Sequence, residues 1–173
     1  MISTKMQDAI NEQINAELFS AYLYLSMSAY FQEINLAGFA QWMEFQAAEE
    51  FFHAKKFYDY LVERGGRVLL KAIAQPETEW NSPQEVFEAT LNHEQKVTGL
   101  IIDLMDLAIA EKDHATNIML QWFVSEQVEE EANASEILEK LKLVGNTGNG
   151  IFMMDRELGQ RTFNAAEYLG GDE

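Results

Sequence analysis

The chain has 173 residues, 47% of them hydrophobic, with two prolines, no cysteine and a formal net charge of −17. That length fits one domain over residues 1–173 with a sizeable core, and the missing cysteines exclude disulfides, iron–sulfur clusters, thiolate metal sites and thiol nucleophiles. So acidic a chain is a poor match for nucleic acid, whose phosphates need a basic surface; its field gives solubility and attracts cations.

The first residues, MISTKMQDAINEQ, are polar and hold no apolar signal core. No apolar run approaches the roughly 20 residues that span a membrane, so the expectation is a cytoplasmic protein without a membrane partner. A first helix is predicted over residues 4–33. Ile10, Ile14, Glu17, Ala21, Tyr24, Ser28 and Phe31 recur at alternating steps of four and three, the seam of a helix packed in a bundle. Leu18, Tyr22 and Leu25 lie off that seam, and a helix apolar on a second face points to subunit contacts.

A second helix is predicted over 37–64, stopped by Gly65-Gly66. Its seam reads Phe39, Met43, Gln46, Glu50, His53, Phe57 and Tyr60. The next stretch, Arg67 to Ser82, is too long for a tight turn. Extended at ~3.3 Å per residue, it can run back along a helix about 40 Å long. The third helix, 83–111, opens with Ser82-Pro83-Gln84-Glu85: an N-cap serine, proline in the first turn and a capping-box glutamate. Its seam is Phe87, Leu91, Glu94, Thr98, Ile101, Met105 and Ala108.

Asp113 is the expected N-cap of a fourth helix over 114–144, with the seam Thr116, Leu120, Phe123, Gln127, Glu130, Ala134, Ile137 and Leu141. A turn from Gly145 to Gly150 then leads to a short fifth helix over 151–160, with a loose tail beyond. Two short connections and one long crossover describe an all-α four-helix bundle.

All four seams are broken by polar residues at matching places. Glu17 stands on the first helix, Glu50 and His53 on the second, Glu94 on the third, and Gln127 and Glu130 on the fourth. Glu50 lies 33 positions after Glu17, and Gln127 lies 33 after Glu94. A single shift of 77 carries Glu17, Glu49, Glu50 and His53 onto Glu94, Glu126, Gln127 and Glu130. The halves read as two copies of one helical hairpin about a pseudo-twofold axis.

Several ionised carboxylates in one core layer cost several kcal/mol each unless compensated. The seams hold no Lys or Arg at this layer, which leaves protonation or bound metal. Two cations bridged by carboxylates, with one histidine nitrogen, fit the composition and the symmetry best. His93 and His114 lie off the seams and are expected at the surface, and Glu131 is expected to face outward. Tyr24, one heptad after Glu17, is either a core tyrosine or a donor and redox partner beside the cluster.

The segments INAELFSAYLYLSMSAYF, AAEEFFHAKKFYDYLVERGGR, EW-NSP, FEATLNHEQKV and LQWFVSEQVEEE together resemble the bacterial and archaeal non-haem ferritins over nearly the whole chain. The resemblance implies the ferritin-like fold, a bundle with a Glu from each of two helices and Glu-x-x-His-type pairs from the others. It further implies a ferroxidase centre that oxidises Fe(II) with O2 or H2O2, and a 24-subunit homo-oligomeric shell storing ferric oxyhydroxide. In that likeness Glu17, Glu50 and His53 hold a first iron, with Glu50 bridging. Glu94 and Glu130 hold a second, with Gln127 beside it. Glu49, Glu126 and Glu129, with Glu130, match a third iron site, and Tyr24 matches the family's tyrosine beside the centre. Bacterioferritins carry a haem-ligating Met after the bridging Glu and a His at the position of Glu130. Phe51 and Glu130 stand there here, so iron without haem is the expectation. The first turn of the fourth helix, Asp113 to Asn117, lacks the acidic pair that lines the iron channels of animal ferritins.

Two other readings keep the bundle and change the chemistry: a container that buffers metal ions without O2 chemistry, and a di-iron oxygenase or peroxidase. The second lacks the cysteines of a rubredoxin-type electron carrier. Miniferritins place their iron between subunits and lack this cluster inside the bundle.

Overall fold

The computed structural model describes residues 2–145 and 147–163. Five helices follow in chain order: α1 Thr4–Glu33, α2 Ala37–Glu63, α3 Pro83–Ala110, α4 His114–Val144 and α5 Gly148–Leu158. The first four lie within a residue of the sequence-based limits. Side-chain caps fix the starts of α1, α3 and α4: Ser3 accepts from the Met6 amide (3.1 Å), Ser82 from Glu85 (3.2 Å) and Asp113 from Thr116 (3.1 Å).

α1, α2 and α3 all end in the same turn. Asn35, Gly65 and Lys112 take left-handed backbone (φ +60°, +73° and +56°), and the following amides bond back to Phe31, Leu61 and Ala108 at 2.9 Å. The 77-residue shift carries the end of α1 and the start of α2 onto the end of α3 and the start of α4. It also carries Asn35 onto Lys112. The duplication therefore reaches the backbone of the turns.

The long connection runs along α1. Asn11 accepts from the Leu69 amide (2.7 Å) and donates to the Arg67 carbonyl (3.1 Å). Farther on, Ser26 donates to the Glu77 carbonyl (2.6 Å), and Trp80 packs edge-on to Tyr30. α3 consequently starts beside the C-terminal end of α1, where Phe31, Phe39, Trp42, Val86 and Phe87 share one core. A second core, with Met6, Ile10, Phe57, Ile101 and Phe123, fills the opposite end. The polar layer lies between the two. No helix among the described residues is long and apolar enough to cross a membrane.

α5 begins three residues before its expected start, because Thr147 caps it by accepting from the Gly150 amide (3.3 Å). The glycine- and asparagine-rich stretch read as turn is thus partly helical. α5 docks on the start of α2, whose own N-cap position, Leu36, offers no side-chain acceptor. Asp155 supplies it, accepting from the Gly38 and Phe39 amides at 2.8 and 3.1 Å. A Cβ at Gly38 would lie 1.7 Å from the Asp155 carbonyl oxygen, so only glycine permits this approach. The tail expected to be loose beyond residue 160 is instead anchored on α2 at Arg161 and Phe163, and its residues 164–173 lie outside the described residues.

Candidate metal centre

Between the two apolar cores, four helices bring Glu17, Glu50, His53, Glu94, Gln127 and Glu130 into one buried layer. Ligand-type atoms of Glu17, Glu50 and His53 lie within 4.8 Å of one another. The i, i+3 spacing on α2 sets His53 Nδ1 3.5 Å from Glu50 Oε2. A second group of the same compactness joins His53 to Glu126 and Glu130, with His53 Nε2 3.8 Å from Glu126. His53 thus stands between both groups, and Trp122 and Phe123 pack edge-on to its ring.

Hydrogen bonds from neighbouring side chains orient most of the carboxylates. Gln13 donates to Glu17 (2.8 Å) and Gln46 to Glu130 (2.7 Å). Tyr24 donates to Glu94 in a short bond. Gln127 shares its amide nitrogen among the Glu94 carbonyl, the Glu94 carboxylate and Thr98, each at 3.3 Å. Glu17 Oε2 is buried and receives no hydrogen bond among the described residues. A cation is the partner such an oxygen lacks.

The electrostatics point the same way. Burial raises the carboxyl pKa values of Glu17, Glu50 and Glu94. Burial, reinforced by the charges of Glu94 and Glu49, pushes Glu130 up to about 8. Burial lowers His53, but the Glu50 carboxylate, Glu126 and Glu17 outweigh it and hold the imidazole well above its usual value. Burial and then the charge of Glu94 raise the Tyr24 phenol, which stays protonated as a donor. Metal ions would relieve every one of these conflicts, because carboxylates and one imidazole are ligands for iron-like divalent ions.

The remaining sequence-predicted residues divide. Glu49 and Glu126 flank the layer, Glu49 buried and Glu126 half-buried, while Glu129 is exposed and joins neither metal-type group. Glu131 is half-buried, not outward: its carboxylate accepts from Thr98 (2.5 Å). His114 is exposed as expected. His93 departs from its surface assignment. Its ring is half-buried against Phe19 and Tyr24, with Nε2 2.8 Å from Ser20 Oγ. Burial, with a smaller push from Lys96, lowers its pKa to about 4.

Ion pairing at the layer, excluded from the seams alone, does occur. Arg161 reaches in from beyond α5 and pairs with Glu49. Gln13 and Gln46 complete the set missed by sequence reasoning. Gln13 and Gln46 could have been found, each four residues before a seam glutamate, Glu17 and Glu50; Arg161 left no periodic signal.

Residues 7–144 match the ferritin-like domain of the ferritin family. The chain is 50% identical over 161 residues to a bacterial non-heme ferritin of Bacteroides fragilis, covering 93% of this chain and all of that one. The figure is 41% over 167 residues for its counterpart in Staphylococcus saprophyticus, covering 96% of this chain and all of that one. Among solved structures, an engineered closed form of the Archaeoglobus fulgidus ferritin superposes with a TM-score of 0.94 at 51% identity, over 95% of this chain and all of that one. The open-pore ferritin of the same archaeon gives 0.92 at 52%, over 93% and 98%.

Proposed function

This chain belongs to the ferritin family, and from that premise we propose that it stores iron, oxidising Fe(II) at the buried layer and keeping Fe(III) oxyhydroxide inside a homo-oligomeric shell. The observation that carries the reading is the cluster of Glu17, Glu50 and His53 within 4.8 Å, facing Glu94 and Glu130 across the bundle.

Glu17, Glu50 and His53 bind one ferrous ion, and Glu94 and Glu130 bind another, with Glu50 bridging. Gln127 and Tyr24 act through Glu94, to which both donate. Two Fe(II) ions give one electron each to O2, which takes up two protons and leaves as H2O2; with H2O2 as oxidant, the same two electrons and two protons yield water. Iron is substrate and cargo, so the site must release it. With one imidazole and a carboxamide in place of a second bridging Glu, the asymmetric pair favours that release. Glu49, Glu126, Glu129 and Glu130 are the carboxylates of a third, neighbouring iron position. Of these, Glu129 is exposed to solvent.

A 24-subunit shell in the cytoplasm is the assembly we propose. Tyr22 and Leu25 on α1 are about half exposed, and Leu69, Leu70 and Ile73 of the crossover are also exposed, apolar surface that a neighbouring subunit would cover.

Size-exclusion chromatography followed by Fe(II) and air tests the reading. A particle of several hundred kilodaltons that turns amber and retains iron supports it. A small oligomer that binds Fe(II) without oxidising it supports the metal-buffering alternative instead.

A further inference from the structure

The segment after α5 turns back across α2 beside the metal layer. One guanidinium nitrogen of Arg161 donates to the Gln46 side-chain oxygen (3.0 Å) and the Trp42 carbonyl (3.3 Å); the other donates to the Glu49 carboxylate. The guanidinium carbon lies 4.7 Å from the Trp42 ring centre. Anchors stand on either side of these contacts. Gln41 donates to the Arg161 carbonyl (3.4 Å), and Phe163 stacks on Phe45 and Phe52 at 5.8 and 5.9 Å.

Both Arg161 partners lead to the candidate ligands. A carboxamide can present either its oxygen or its nitrogen, and nothing in Gln46 itself decides which end faces Glu130. A guanidinium only donates, so it engages the Gln46 oxygen and turns the nitrogen inward. That nitrogen donates to Glu130 Oε2 at 2.7 Å and lies 3.5 Å from Glu50 Oε1. Glu49, in turn, is a buried carboxylate held by a charge-assisted bond, which a metal ion must break or share to use it.

We infer that Arg161 is a positioning residue of this centre, a tethered cation that turns the Gln46 amide toward Glu130 and competes with metal ions for Glu49. The role rests on the di-iron reading above. It orders the filling: among the described residues no Lys or Arg pairs with Glu17, Glu50 or Glu94, whereas an ion that needs Glu49 must displace Arg161 and binds last.

Redox-inert Zn(II), titrated calorimetrically into the assembled full-length protein, separates the possibilities. Wild type is expected to take two tighter ions and one weaker ion per subunit. In Arg161→Gln the weaker ion should tighten about tenfold, the worth of a modest charge-assisted bond. Arg161→Lys keeps a cation near Glu49 but cannot hold both partners, and should stay within about threefold of wild type. The visible spectrum of Co(II) at the pair reads the Gln46 arm. It should change in Arg161→Gln and Arg161→Lys.

Unchanged affinity for the weaker ion in Arg161→Gln overturns the proposal. If that variant fails to assemble, a wild-type Co(II) spectrum in Arg161→Lys overturns it instead. Wild type lacking two tight ions would break the di-iron reading itself, and a normal pair with an unmoved weaker ion breaks the role of Arg161 alone.

Discussion

The α1–α2 and α3–α4 hairpins share one backbone plan and differ in what they present to each other. On the first, Glu17, Glu50 and His53 converge as a compact group of metal-type ligands. On the second, the equivalent positions hold Glu94, Gln127 and Glu130, with a carboxamide where the first has the Glu50 carboxylate and a carboxylate where it has His53. Glu94 is tied by Tyr24 and Gln127, and Glu130 by Gln46, a residue of the first hairpin. The 77-residue shift explains why. It pairs Tyr24 with Ile101, Gln46 with Phe123 and His93 with Ala16, so each hairpin kept polar groups its twin lost. Duplicated backbone with diverged side chains gives one half with a compact group of metal-type ligands and another whose two carboxylates are tied by an amide and a phenol.

That contrast breaks first at the ligands. Glu50→Ala or His53→Ala should remove fast Fe(II) oxidation while leaving the assembled particle intact by size-exclusion chromatography. Gln127→Leu should slow the same stopped-flow rate by only about tenfold, the cost of losing an orienting hydrogen bond. Wild-type oxidation in both alanine variants would place the centre elsewhere.

The next largest effect is on stability. Glu130 titrates near 8 when folded, above its unfolded value of 4.5, so the metal-free folded protein holds more protons between those values. Its stability should therefore fall as pH rises from about 4.5 through about 8, while Zn(II) restores it at the alkaline end. Thermal unfolding with and without Zn(II) across that range reads the slope. A metal-free midpoint that rises steadily from pH 5 to 8 would contradict it.

His93 carries the opposite sign on the second hairpin. Its folded pKa near 4 lies below 6.5, so its contribution is complete above 6.5 and is lost as pH falls through about 4. His93→Gln, which can still bond Ser20, should flatten the acid limb of the unfolding curve and leave the neutral midpoint close to wild type.

The smallest expected difference lies in the twin turns. Asn35 tolerates left-handed backbone, whereas Lys112 occupies the same conformation at a cost. Lys112→Gly should stabilise the subunit by about 1 kcal/mol in chemical denaturation. Asn35→Gly should gain less.

Much of this was legible in the chain. Heptad-like seams, Ser82-Pro83, Asp113 and Gly65-Gly66 locate four helices because periodicity and capping are local properties, carried by residues within a turn or two of each other. The matched polar breaks in four seams located the layer and its residues for the same reason. Local pattern could not say that His93 turns into a groove beside Ser20, since that depends on how α1 and α3 cross. Nor could it say that α5 docks through Asp155 on bare amides of α2, or that Gly38 makes room for it. Arg161 is the clearest case: 112 residues separate it from Glu49, and no periodic rule spans that interval. The sequence by itself determined the helices, the layer and the candidate ligands. Only the tertiary structure decided which amide, phenol or guanidinium orients each carboxylate, because those contacts depend on distances set by packing and not on position along a helix.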